Sequence, residues 1–301
     1  FIVMTAKSLG LGIRGPVSLL YLLACFIFLR GCKTAQLPPL TASALFILLI
    51  YPDFYGQQRM AFVCACGILI IGYMKTARPI AIMMIILLAT MLQYVALAYF
   101  AALVFYFLDK QNSDIRKFAT QNTSIVLGRI KKTFSRESLI FIFPLALGMS
   151  VIFLVTDANK ILILSGIKFF ENGFAQNIPI VEKFLSYYYR NSIIDLSFLG
   201  FAATSVFILI VLFTFTASSI YWKLRYGLVF LIISSFSFAF LSALPFVAYR
   251  VVHMFYLAGL LYVGSIILTK KTGLYIGSAA LIGLVIIRYI NLFTSLGPYS
   301  F

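Results

Sequence analysis

The sequence predicts an all-α membrane protein that crosses its bilayer about eight times. Of its 301 residues, 62% are hydrophobic and only 11% are charged, and its mean hydropathy is +1.04. A soluble domain of this length cannot bury so much apolar surface in its own core, so lipid has to cover the remainder. The charges also fall in clusters between long uncharged runs, which is the pattern of membrane spans joined by loops.

The spans follow from the apolar runs, since each one needs ~20 predominantly apolar residues, or fewer where the bilayer is thin. Helices are predicted near 16–30, 38–54, 58–74, 138–156, 196–222, 227–248, 252–269 and 273–293. The basic segment 109–137 is predicted to be a cytoplasmic loop. The segment 157–195 is predicted to be one long external loop, of the kind that covers a binding site.

The whole chain, 1–301, is predicted to form a single integral membrane domain. It opens on Phe1 rather than on an initiator Met. We therefore expect that further residues precede it in the natural protein.

The run 79–108 is unusual because it holds about 30 uncharged residues, more than one ordinary span requires. Basic residues precede it at Lys75 and Arg78, and Asp109 and Lys110 follow it. If both ends are cytoplasmic, the run enters and returns as a re-entrant helical hairpin that turns near Gln93-Tyr94, inside a sheltered cavity. The alternative is one long tilted helix.

The distribution of basic residues orients the chain and favours the hairpin. With the hairpin, 15 of the 24 Lys and Arg residues fall on one side, which the positive-inside rule makes cytoplasmic. The long tilted helix would place the densest basic loop outside. The cytoplasmic set is Arg30, Lys33, Lys75, Arg78, Lys110, Arg116, Lys117, Arg129, Lys131, Lys132, Arg136, Lys223, Arg225, Lys270 and Lys271.

Several function classes are excluded by what the sequence contains. The net charge of +16 belongs to residues at the ends of apolar runs, whereas a nucleic-acid reader carries them as a patch on a polar surface. No nucleic-acid partner is therefore expected. The sequence has no Gly-rich phosphate loop, no metal-ligand spacing and no Gly-x-Ser-x-Gly, and we expect neither a metal nor another cofactor.

What remains is a set of polar residues at the predicted outer ends of spans. Arg59 is predicted to start a helix, where the positive end of the helix dipole adds to its charge. Arg250 and His253 follow Pro245 and share a helix face because they are three residues apart. Arg288 interrupts an apolar stretch, and a charge at membrane depth is a functional candidate. Guanidinium groups suit phosphate oxygens.

Each of these residues also has a purely structural interpretation. An arginine near a span end can extend to the lipid headgroups, and a buried histidine can serve only as a hydrogen-bonded core residue. The run Tyr187-Tyr188-Tyr189 is typical of an interfacial belt as well as of a sugar platform.

The order of these features resembles the EpsG-like, Wzy-type polymerases of bacterial exopolysaccharide, capsule and O-antigen. Gln57-Gln58-Arg59-Met60-Ala61 is similar to the family's Arg-Gln-x-x-Ala helix start, and Leu92 to Leu97 is similar to its His-Ser/Tyr-x-Ala-Leu turn. Gln93 stands where histidine is common, so no base is expected there. The other matching stretches are Val181 to Asp195 around Lys183, Tyr249-Arg250, and Gly297-Pro298-Tyr299.

The resemblance implies a polysaccharide polymerase of the bacterial inner membrane. It would move a growing glycan from undecaprenyl diphosphate to a hydroxyl of another lipid-linked repeat unit at the periplasmic face. Its partners would be that lipid-linked oligosaccharide, membrane lipid and a chain-length regulator protein. The substrate-binding residues would be Arg59, Gln58, Gln93, Tyr94, Tyr249, Arg288, Arg190, Lys183 and Tyr188.

The mechanism we expect needs no metal. Arg59 and Arg250, with Arg288, would hold the donor diphosphate, and His253 or Asp53 would accept the hydroxyl proton. Two other functions fit the same residues. A transporter or flippase of lipid-linked oligosaccharide would use the arginines without making a bond, and a membrane sugar O-acyltransferase would use His253 as its base.

Overall fold

The computed structural model describes residues 15–49, 51–107, 198–215, 221–241, 245–269 and 274–296, with short helical pieces at 143–144, 147–148 and 151–152. All regular elements in these ranges are helical, which confirms the all-α prediction for them. A 3₁₀ helix, Tyr94–Tyr99, follows the fourth α-helix, and residues 100–107 continue it as α-helix. The α-helices are α1 (Gly15–Ala35), α2 (Pro39–Leu49), α3 (Tyr51–Lys75), α4 (Pro79–Leu92), α5 (Phe198–Phe215), α6 (Tyr221–Leu241), α7 (Pro245–Ile267) and α8 (Leu274–Leu296).

Three of the described helices are long and apolar enough to cross a membrane. They are Gly15–Ala35, Lys223–Leu241 and Arg250–Ile267. Shorter apolar helices accompany them at Pro39–Leu49, Pro79–Leu92, Tyr94–Phe107, Ala202–Thr214 and Tyr275–Ile287.

The surface of α4 shows why lipid is the natural surrounding of these helices. One face of α4 packs inward through Ile82, Ile86 and Ala89, which are all fully buried. The opposite face is equally apolar but exposed, since a helix in lipid needs no polar side. That exposed face consists of Ile80, Met83, Met84, Leu87, Leu88 and Met91.

The described helices correspond to the predicted apolar runs, except for 138–156, most of which lies outside the described residues. The predicted loops 109–137 and 157–195 also lie outside them. Three predicted helix starts are wrong. α3 begins at Tyr51 and not at 58, α6 begins at Tyr221 and not at 227, and α7 begins at Pro245 and not at 252.

The three errors have the same cause, because apolar content does not mark the first turns of these helices. Pro52 is compatible with the first turn of α3, and Gln57 and Gln58 are good helix formers. Pro245 stands at the start of α7, where a missing N–H costs nothing, and so it begins a helix instead of kinking one. Arg59 and Arg250 consequently lie within helices.

Helix α3 is the centre of the described bundle. Its side chains from Met60 to Ile71 are buried on every side, whereas a surface helix would show one exposed stripe. α1 runs parallel to it and packs closely through glycines. A Cβ added at Gly31 would lie 3.0 Å from the Leu69 backbone nitrogen, and one at Gly72 would lie 3.0 Å from the Ala35 backbone nitrogen.

α6 and α7 form an antiparallel pair that packs in the same way. A Cβ added at Gly227 would lie 2.6 Å from the Tyr262 ring, and one at Gly259 would lie 2.9 Å from the Gly227 carbonyl oxygen. Small residues allow helix backbones to approach this closely, which is how helices associate in lipid. The Tyr262 hydroxyl also donates to the Lys223 carbonyl at 2.9 Å, which joins the end of α7 to the start of α6.

α1 and α3 end side by side with the same backbone motif. The Leu37 N–H donates to the Cys32 carbonyl at 2.9 Å, and the Arg78 N–H donates to the Tyr73 carbonyl at 3.0 Å. These six-to-one bonds define Schellman caps. They require a left-handed residue at the turn, which here is Gln36 (φ 57°) and Ala77 (φ 55°).

Candidate functional site

The candidate site lies where α3 and α7 pack against each other. A Cβ added at Gly67 would lie 2.7 Å from the Ala258 Cβ, so the two helices touch at this pair. The Tyr99 hydroxyl donates to the Val63 carbonyl at 3.0 Å and lies 3.4 Å from the Met254 carbonyl oxygen. Gly67 is thus paired with Ala258, and Val63, four residues earlier on α3, is paired with Met254, four residues earlier on α7. α3 and α7 therefore run parallel with a fixed register.

The register places Arg59 and Arg250 at the same level. Arg59 is one turn before Val63 in α3, and Arg250 is one turn before Met254 in α7. Counted at ~1.5 Å per residue, each arginine lies roughly 25 Å from the C-terminal end of its helix. We call this part of the bundle, defined by Arg59 and Arg250, the arginine end.

The two arginines flank the helix contact and do not lie within it. At their level, the positions one heptad before Gly67 and Ala258 are Met60 and Val251, and both are buried, with 2% and 6% of their surface exposed. Equivalent positions on two parallel helices lie on opposite sides of the contact. A ligand shared by Arg59 and Arg250 therefore has to be long enough to pass around the buried Met60 and Val251 pair.

The surroundings of the two arginines differ. Arg59 is exposed, whereas Arg250 and His253 on α7 are half-buried. His253 lies three residues after Arg250, so it shares that side of α7 and lies about 4.5 Å further along the axis. Ser234 of α6 donates to the Val252 carbonyl at 3.1 Å, which fixes α6 against this stretch of α7.

The Gln93-Tyr94 segment interrupts the helix of residues 79–107, as the sequence predicts for a turn. α4 ends at Leu92, and Gln93 has an extended backbone (φ −149°, ψ 104°) before the 3₁₀ helix begins. Gln93 is buried, with 9% of its surface exposed, and Tyr94 packs partly buried against the core. A buried polar residue at a helix break is typical of a sheltered site, not of a lipid-facing helix.

The Tyr99 hydroxyl lies at a depth in the bundle close to that of Gln93. α4 starts at the end of α3 and rises roughly 21 Å over its 14 residues. The Tyr99 hydroxyl contacts Val63, which is only roughly 18 Å from that same end. Six further residues of 3₁₀ helix in the same direction would have carried Tyr99 roughly 12 Å beyond Gln93.

Tyr99 is the residue of this region that the sequence does not reveal. Its ring packs against Phe255 (centroids 5.1 Å apart) and Phe230 (5.7 Å), so it joins α7 and α6 as well as α3. It is fully buried, and its hydroxyl occupies the space that a side chain at Gly67 would need, 2.5 Å from an added Cβ. A tyrosine in an uncharged run gives no signal of this role before the packing is known.

The remaining predicted site residues are placed only by their elements. Asp53 and Gln58 are on α3, before Arg59, while Tyr249 is on α7 and Arg288 on α8. Lys183, Tyr188 and Arg190 lie outside the described residues. The structure thus brings Arg59 and Arg250 to one level, and Gln93 lies within about a turn of it.

No known family model matches the sequence, and neither a curated protein nor a solved structure is significantly similar to it. The function therefore has to be argued from the arrangement of residues. Two guanidinium groups at one level can bind an extended anion through bidentate hydrogen bonds. A half-buried imidazole on the same side as Arg250 can accept a proton near that anion.

Proposed function

We propose that the chain is a polysaccharide polymerase that transfers a growing glycan from undecaprenyl diphosphate to a hydroxyl of another lipid-linked repeat unit. The observation that carries the proposal is the common level of Arg59 and Arg250 on the packed helices α3 and α7. Their opposite flanks suit a long ligand that crosses the helix pair, such as a lipid diphosphate with its attached sugars. The substrate class itself comes from the resemblance to the EpsG-like, Wzy-type family.

In this proposal the arginines act on the leaving group. The acceptor hydroxyl oxygen attacks the anomeric carbon, the bond from that carbon to the diphosphate oxygen breaks, and the diphosphate leaves with one more negative charge. Arg59 and Arg250 stabilise that charge, with Arg288 as a further contributor. The hydroxyl proton goes to His253 or Asp53, and His253 has the advantage of its position beside Arg250.

The proposed topology places about eight spans and a re-entrant hairpin at 79–108 around this site. Two observations support the hairpin: the extended backbone at Gln93 and the depth of the Tyr99 hydroxyl. The turn then carries Gln93 and Tyr94 toward the acceptor sugar, together with Tyr249. Lys183, Tyr188 and Arg190 of the proposed external loop would cover it from the periplasm.

The test is polymerisation by the purified full chain in detergent with a synthetic undecaprenyl-diphosphate repeat unit, followed as a ladder on a gel. We expect a ladder with the wild type and a loss of roughly 100-fold or more in rate with Arg250→Ala, the size of effect seen when a group that stabilises developing charge is removed. The matched control is Arg30→Ala, an exposed arginine near the other end of the bundle.

The outcomes separate the proposal from its rivals. Equal loss in Arg30→Ala would mean that general charge matters and not Arg250. A folded wild-type protein that makes no ladder from the matching repeat unit, but moves it across vesicles, is a flippase. Transfer of an acyl group to the sugar without chain growth would identify an O-acyltransferase.

A further inference from the structure

The end of the bundle opposite the arginines carries a second cationic feature. Lys75 is the last residue of α3 and Lys223 lies in the first turn of α6. Burial lowers the pKa of Lys75, and the nearby charge of Lys223 lowers it further. The packing places the two lysines near one level: the Tyr262 hydroxyl bonds the Lys223 carbonyl, and in the register of Gly67 with Ala258, Tyr262 lies one turn before the level of Lys75. We call this pair the lysine end.

Hydrogen bonds fix the side chain of Lys75 and the backbone of Lys223. The Lys75 ammonium donates to the Ala35 carbonyl at 2.9 Å and to the Gln36 side-chain oxygen at 3.0 Å, which ties it to the end of α1. The backbone of Lys223 accepts the hydrogen bond from the Tyr262 hydroxyl. Chain packing, and not attraction, therefore brings the two charges together.

The sequence offers these lysines little carboxylate to offset their charge. All eight acidic residues of the chain lie at 53, 109, 114, 137, 157, 171, 182 and 195. Neither 54–108 nor 196–301 contains a single Asp or Glu, so α4, α6, α7 and the end of α3 supply none. The loop 109–137, predicted on the same side, contains three carboxylates against the 15 basic residues of that side. Two like charges in so basic a region favour an external anion.

The apolar surface beside the lysine end indicates what kind of anion fits. α4 begins four residues after Lys75, the last residue of α3. Its exposed apolar face starts there with Ile80 (78% exposed) and continues with Met84 (62%). An anion that rests on this end while its tails cover that face is a phospholipid. A soluble phosphate would leave the apolar face uncovered.

We infer that Lys75 and Lys223 bind the phosphate of an anionic phospholipid at the boundary of the membrane. The site is distinct from the arginine end and does not depend on the proposed polymerase activity. Each lysine contributes about fivefold to the preference for an anionic over a zwitterionic lipid, the effect of one basic residue near a membrane surface.

The single tryptophan of the chain, Trp222, is next to Lys223 in sequence and provides the measurement. The full chain is reconstituted in vesicles in which either phosphatidylglycerol or phosphatidylcholine carries brominated tails, and the quenching of tryptophan fluorescence is compared. We expect preferential quenching by the brominated phosphatidylglycerol. Lys223→Gln should reduce the preference about fivefold, and Lys223→Arg should retain it.

Controls distinguish the possible sources of the phosphate. Arg30→Gln removes the same charge from the exposed surface of α1, outside both sites, and should leave the preference unchanged. Equal quenching by the two lipids in a folded protein, or an unchanged preference in Lys223→Gln, would overturn the inference. So would inorganic phosphate that abolishes the preference when chloride at matched ionic strength does not, because the ligand would then be soluble.

Discussion

The two ends of the bundle carry their positive charges in different ways. At the lysine end, Lys75 closes α3 and Lys223 opens α6, so both lie where the apolar runs stop. At the arginine end, Arg59 is in the third turn of α3 and Arg250 in the second turn of α7. Charge at a helix terminus costs little and orients the chain, whereas charge within an apolar helix is expensive and makes the residue a functional candidate.

The largest expected effect tests whether the two arginines act together. Arg59→Ala and Arg250→Ala should each slow polymerisation by roughly 100-fold or more. If both hold one diphosphate, the double variant should be little slower than the worse single variant, because the second change removes a group from a ligand that is already misplaced. Rates of ladder formation by the four proteins measure this.

Independent effects would contradict the shared ligand. Multiplied losses in the double variant would mean that Arg59 and Arg250 serve different groups on their opposite flanks of the α3 and α7 contact. The arginine end would then consist of two separate binding sites, one at Arg59 and one at Arg250.

The second effect concerns the contact that sets the register of the arginine end. Gly67→Ala places a Cβ 2.5 Å from the Tyr99 hydroxyl and 2.7 Å from the Ala258 Cβ. α3 and α7 have to separate, which should destabilise the protein by about 1 to 3 kcal/mol. The matched control is Gly283→Ala on α8, where an added Cβ meets nothing within 4 Å.

The control should behave in the opposite way. Gly283→Ala should stabilise by about 0.5 to 1 kcal/mol, because alanine loses less freedom in a helix than glycine does. Thermal unfolding in detergent compares the two variants. Equal stability of Gly67→Ala and wild type would mean that the close approach of α3 and α7 is wrong.

The sequence predicts the lysine end better than the arginine end. The positive-inside rule predicts Lys75 and Lys223 on the same side, because both stand at the ends of apolar runs. The packing of α3, α6 and α7 places them within about a turn of one level. The arginine end needed more than hydropathy. The sequence predicts that Arg59 starts a helix, because Tyr51 to Gln58 is not an apolar run. α3 nevertheless includes Tyr51 to Gln58.

Tyr99 marks the physical limit of the sequence prediction. Its hydroxyl joins residues 36 and 155 positions away along the chain. That bond needs the space that Gly67 leaves and the interruption of the helix at Gln93, and the first of these conditions arises only from tertiary packing. The break at Gln93 was predictable from the length of the uncharged run, but its fixation by Tyr99 was not.

The third effect tests the hydrogen bond by which Tyr99 attaches the segment after Gln93 to α3. Tyr99→Phe keeps the ring contacts with Phe230 and Phe255 but removes the hydrogen bond to the Val63 carbonyl, which should cost about 1 kcal/mol. The substitution also removes the hydroxyl oxygen, which is the atom nearest to a Cβ added at position 67. Gly67→Ala should therefore cost less in the Tyr99→Phe background than in the wild type. Additive losses in unfolding experiments would count against this account.

The smallest effect lies at the lysine end and has the opposite sign to Gly67→Ala. Ala77 holds a left-handed backbone, φ 55°, in the Schellman cap of α3. Glycine removes the clash of the Cβ there, although it also gives the unfolded chain more freedom. Ala77→Gly should stabilise by about 0.5 to 1 kcal/mol, seen as a higher unfolding temperature. A lower one would mean that the cap does not hold this conformation. Glycine is thus favoured at both positions for different reasons. At position 67 the close contact of α3 and α7 leaves no room for a Cβ, whereas at position 77 the left-handed backbone disfavours one.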